Sequence, residues 1–144
     1  MKLVRWSGVC LSAALLAACS SWEPVRIVND TPQQLQAEPD DLICQYAYFS
    51  KTFTSQAATG TSEKVLQEGI RRGLIRADRA DEIRQNKASV GMNECEAKAA
   101  WGYPDTINTT TAAAGQQQQW VYGHYSDALS FLYVQDGQVT AIQN

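Results

Sequence analysis

The chain changes its hydrophobic period at one place. Up to Trp101 the apolar residues recur three or four apart, and beyond Pro104 they alternate. Asn93 is an N-cap candidate with Glu96 three residues on, the spacing of a capping box. Met92 can staple onto Ala97 across that start, and Ala97, Ala100 and Trp101 share one face. Gly102 stops the helix and Pro104 prevents its resumption. After that point Trp120 and Tyr122 alternate with Val121 and Gly123, and Leu132 and Val134 with Phe131 and Tyr133. Asp136-Gly137 is a strong two-residue hairpin signal, and it sets Val134 opposite Val139 on one side of a sheet. The uncharged run "GQQQQW" reads as the start of a strand, and residues 105–111, "DTINTTT", have strand composition. Helices first and strands later predict an α+β layer. Its expected architecture is N-terminal helices, then two helices packed on a three-stranded antiparallel sheet, with room for a fourth short strand.

Upstream, Asp40-Asp41 opens a helix whose apolar face is Leu42, Ile43, Tyr46 and Phe49. "TFTSQAATGTS", residues 52–62, reads as a small-residue loop. Ser62 is placed to cap the next helix, with Leu66, Ile70 and Leu74 on one stripe, and Gly69 and Gly73 weaken its far end. Asp78 is placed to cap a further short helix carrying Ile83. Residues 19–40, with Pro24, Pro32 and Pro39 among polar residues, read as an extended tether.

The first eighteen residues carry an address. Lys2 and Arg5 precede an uncharged, mostly apolar run from Gly8 to Ala18. That run is too short to span a bilayer, which takes roughly 20 apolar residues, and its basic start and small-residue end suit a secretory signal. Leu16-Ala17-Ala18-Cys19 resembles the lipobox of bacterial lipoproteins. The resemblance implies cleavage before Cys19, a diacylglycerol thioether on its sulfur, and, with Ser20-Ser21 rather than Asp following, sorting to the periplasmic face of the outer membrane. Two or three acyl chains hold a protein at a membrane where one is marginal. The expected organisation is a signal over 1–18, lipidated cysteine and tether over 19–40, a helical extension over 41–79 and an α+β domain over 80–144.

Charge and cysteine use narrow the function. Loss of Lys2 and Arg5 from twelve basic residues leaves ten against fifteen acidic ones. That balance argues against nucleic acid as a partner. Cys10 leaves with the signal and Cys19 takes lipid, so Cys44 and Cys95 remain in a compartment that permits disulfides. A bridge between them would close a long loop, worth roughly 4 kcal/mol in the chain-entropy model. Cys95 in the first turn of a capped helix also suits a thiolate, so a thiol-redox protein is the enzyme alternative. His124, the one histidine, has no nucleophile or orienting carboxylate at a motif spacing, and one histidine does not make a metal site. No catalytic residue, metal or cofactor is expected beyond the covalent lipid. Arg71, Arg72, Arg76 and Arg79 fit either lipid head groups or an acidic partner, or a solvated face with local Glu and Asp partners.

"VGMNECEAKAAWGYPDTIN", "QWVYG" and "FLYVQDGQVTAIQ" together resemble the SmpA/OmlA (BamE-like) domain family of outer-membrane lipoproteins. The residues that carry the likeness are Gly91-Met92, Glu94 and Glu96, Gly102 with Pro104, Trp120 with Tyr122, and Asp136-Gly137 before Val139. The likeness spans residues 80–144; Ala97 and Ala100 are smaller than the aliphatics usual there. It implies two helices on a three-stranded antiparallel sheet and a binding or scaffolding role toward another envelope protein, in envelope or outer-membrane protein assembly. An exported enzyme-inhibitor protein shares that architecture, which makes inhibition of an exported enzyme a further alternative.

Overall fold

The computed structural model describes residue 27 and residues 30–47, 56–113, 115–123 and 129–144, without the side chains of 56–62. Its helices are α1 (Pro32–Ala37), α2 (Asp40–Ala47), α3 (Gln56–Arg71), α4 (Ala80–Arg84) and α5 (Glu94–Trp101), with a 3₁₀ turn at Ala77–Arg79 before α4. Four strands follow: β1 (Thr106–Ala112), β2 (Gly115–Tyr122), β3 (Ser130–Gln135) and β4 (Gln138–Gln143). They form one antiparallel sheet in the order β1-β2-β3-β4. The α+β expectation holds, and the sheet has four strands rather than three. The stretch that counted least, 105–111, is a full-length edge strand paired with β2 over seven positions.

Much of the expected tether belongs to the folded body. Thr31 accepts from the Gln34 amide while the Gln34 side chain accepts from the Thr31 amide, a complete capping box. Pro32 sits at the first helical position, where its missing N–H costs nothing and its fixed φ suits a helix. The prolines therefore mark a helix start as well as extended chain. Leu35 is 3 % exposed and Ile27 is buried, so both join the core.

Two helix starts also differ from expectation. Helix α3 begins by Gln56, inside the small-residue stretch read as a loop, because Ala and Gln supply helix propensity where an apolar stripe is missing. Asp78 lies within the 3₁₀ turn and caps nothing; Arg76 holds the N-cap position without a side-chain bond. The far end of α3 is a Schellman closure. Gly73, at φ +74°, donates to the Ile70 carbonyl, and the Leu74 amide donates to Gly69. At α5 the capping box of Asn93 and Glu96 forms as read, and Gly102 ends the helix at φ +82°.

The core lies between the helices and one face of the sheet. Trp120, Leu132, Val134 and Val139 are buried from the sheet, and Met92, Ala97, Ala99 and Ala100 from the helix side. Trp120 stands opposite Leu132, and Leu132 opposite Ile142, in one row. Alanines on α5 leave room for the Trp120 ring, which is 0 % exposed. Trp101 meets Tyr122 edge-on, with ring centroids 5.3 Å apart. The Asp136-Gly137 turn has both residues at positive φ, as a type I′ turn requires, and Val134 pairs with Val139 as the turn dictates.

Candidate docking surface of the sheet

The twenty-seven strand residues include no Asp, Glu, Lys or Arg. On the face turned away from the helices, side chains are joined across the sheet. Asn108 Nδ2 donates to Gln119 Oε1 at 3.1 Å, Gln119 Nε2 donates to the Tyr133 hydroxyl at 3.2 Å, and that hydroxyl donates to Gln143 Oε1 at 3.1 Å. One residue from each strand contributes, so the row fixes four side chains in place without using all of their hydrogen-bonding capacity. A groove of about 320 Å³ runs beside it, lined by Thr110, Gln117, Gln135 and Thr140 as well as the row itself. Half-exposed Val121 and Phe131 stand opposite one another on the same face. The surface is neutral, polar and ordered, suited to contact by hydrogen bonds and van der Waals packing rather than by charge.

The two edges of the sheet differ. Gly91 donates its amide to the Val139 carbonyl at 2.8 Å, and the Val139 amide donates to Met92 at 2.8 Å, so the segment before α5 covers the start of β4. Further along, β4 carries an extra residue opposite the Tyr133–Val134 step, a bulge that bends the strand. Every residue of β1 is exposed. Its register with β2 is unbroken from Thr106 to Ala112. Ile107 sits opposite buried Trp120, yet is itself 41 % exposed, because the helix layer does not extend over β1.

Cys44 and Cys95 form a disulfide that joins α2 to α5 across 51 positions of chain. Cys44 is 6 % exposed and Cys95 is partly buried against the same core. Cys19 and His124 lie outside the described residues.

The arginines do not gather into one open patch. Arg72 Nε donates to Glu68, its Nη1 to Asp40 Oδ1 at 2.6 Å and to the Glu38 carbonyl at 2.7 Å, and its Nη2 to the Leu35 carbonyl. One side chain, only 13 % exposed, thus ties the end of α1 and the start of α2 to α3. Arg71 forms a two-pronged pair with Glu68 at 2.6 and 2.7 Å. The Arg71 guanidinium, with Arg72 behind it, holds the buried Glu68 carboxyl well below the usual range, at about 2. Arg76 grips both oxygens of the fully buried Glu96 and donates to the Gly91 carbonyl. Arg79 donates to Glu82 and to Ser89. The reading as residues with local acidic partners describes all four, and a lipid-head-group cluster would have to break these pairs.

Glu68 and Glu96, the buried anchors of these networks, were not singled out as such in the sequence. Arg71 and Arg72 at three and four residues beyond Glu68 are a legible signal for the first. Glu96 was legible only as a cap. Burial alone would push its carboxyl up, but the Arg76 guanidinium and the Arg76 and Asn93 amides outweigh that and hold it down.

No family model, curated protein or solved structure matches the chain. Among the described residues no helix is long and apolar enough to cross a membrane, and no three His, Cys, Asp or Glu side chains converge as metal ligands.

Proposed function

We propose that the chain is a lipid-anchored, non-enzymatic docking module at the periplasmic face of the outer membrane. The observation that carries this reading is the charge-free sheet, with helices on one face only and an ordered polar row on the other. Such a surface, held rigid beneath by a packed core, presents fixed hydrogen-bonding groups at low entropic cost on binding. The disulfide supports an oxidising compartment. The lipobox at Cys19 supplies the anchor, and the likeness to the SmpA/OmlA (BamE-like) family supports an accessory role in envelope or outer-membrane protein assembly.

The test is a photo-crosslinking residue at Gln117, on the open face, compared with one at Gln67 on α3, in cells expressing the full chain. Adducts with an envelope protein from Gln117 and none from Gln67 are expected. Equal labelling from both positions would refute the docking reading. Cys19→Ser is expected to leave the precursor uncleaved and unlipidated; normal lipid labelling of that variant would remove the anchor from the proposal.

A further inference from the structure

Natural sheets protect their edges with lysine, proline, a bulge or a covering segment, because an open edge offers unpaired amides and carbonyls to any extended chain. Strand β4 has two of these devices, the covering Gly91–Asn93 segment and a bulge. Strand β1 has none. Its sequence is Thr-Ile-Asn-Thr-Thr-Thr-Ala, without charge or proline, and its pairing with β2 is unbroken.

We propose that β1 pairs with β1 of a second copy of this chain, antiparallel, about a two-fold axis at Thr109. The proposal rests on the reading of the sheet as a docking surface and names the partner for its open edge. Thr109 is the middle of the strand, so centring there pairs the whole of it. Ile107 then stands beside Thr111 of the other copy, and Asn108 beside Thr110. Side chains on the same face stay together, since the period of a strand is two residues. No charged side chain opposes its own kind along the seam, which is what an isologous contact demands of a strand that must complement itself. The exposed Ile107 gains a neighbour on the side that the helices leave open.

A single strand seam lies at the small end of stable interfaces. The dimer is therefore concentration-dependent, and confinement of both copies to one leaflet would raise their effective concentration.

The experiment is sedimentation of the full chain in detergent over a range of concentrations, with Thr109→Lys, Thr109→Glu and an equimolar mixture of the two. Position 109 is exposed in the monomer, so neither variant should disturb the fold; far-ultraviolet dichroism checks this. Wild type is expected to pass from monomer to dimer with concentration. Each variant alone sets like charges face to face on the axis and is expected to weaken dimerisation at least tenfold, and the mixture is expected to restore it. Wild type that stays monomeric at every concentration overturns the proposal. So do single variants that dimerise as wild type does. Gln117 adducts with a different envelope protein, alongside a monomeric wild type, would leave the docking reading standing and remove this one.

Discussion

Glu96 shows how one side chain can decide several local structures at once. It accepts from the Asn93 amide at 2.9 Å as the return half of the capping box of α5. The same carboxylate accepts from the Arg76 backbone at 2.9 Å and from two guanidinium nitrogens. Arg76 in turn holds Gly91, whose amide covers β4. Glu96→Gln keeps the shape but removes the charge, and is expected to cost about 2–3 kcal/mol, read from denaturant midpoints. A midpoint within a few tenths of a kcal/mol of wild type would show that the ion pair contributes little. The pH dependence follows from the same networks. Glu68 and Glu96 both ionise below the ordinary value of 4.5 in the folded chain, so below that value the unfolded chain binds protons that the folded one does not. Their contribution to stability is complete above 4.5 and is lost as pH falls toward the folded value of about 2 at Glu68. Glu96→Gln should therefore flatten the acid limb of a stability-against-pH curve, and an unaltered limb would contradict this assignment.

At the scale of elements, the legible parts were those where local chemistry acts alone. The Asn93 box, the Gly102 stop, the Asp136-Gly137 turn and the Val134–Val139 pair all follow from residues within a few positions of one another. The missed parts depend on distant partners or on two-sided signals. Proline at position 32 favours both extended chain and a helix start, and only Thr31 and Gln34 beside it decide which. Helix α3 holds small residues because its neighbours come close. A Cβ on Gly69 would lie 2.8 Å from Ile75 Cδ1 and 3.5 Å from Ile43 Cγ2, and Ile75 and Ile43 are both buried. Gly69, which weakened the helix by propensity, is thus a packing requirement between α2 and α3. Gly69→Val is expected to cost about 1–3 kcal/mol in thermal or denaturant unfolding through overpacking. A variant as stable as wild type would mean that Ile75 relocates freely. The candidate surface was legible as strand composition, but its open face and unequal edges were not, because those depend on which strand the helices and the 91–93 segment cover.

At the scale of the whole molecule, three kinds of tie join the N-terminal helices to the sheet-bearing half. One is the shared core, which runs from Ile27 and Leu35 through Ile43 to Trp120. Another is polar: Asp41 receives the Lys98 ammonium at 3.1 Å and the Tyr103 hydroxyl at 3.0 Å. The third is covalent, between Cys44 and Cys95. Cys44→Ser or Cys95→Ser is expected to lower stability by about 2–4 kcal/mol while the protein stays with the membrane fraction. An unchanged melting temperature in both variants would show that the bridge adds nothing. The same bridge, buried within this interface, is expected to resist mild reductant and to show no exchange with a dithiol probe; rapid exchange would favour the thiol-redox alternative.

The unequal finish of the two sides of the sheet has a consequence for growth. A molecule sticky on both flanks would add neighbours without end and become a fibre. Here Gly91 and Met92 occupy the far flank of β4, so a pair joined through β1 offers no free flank at either side, and accretion halts at two.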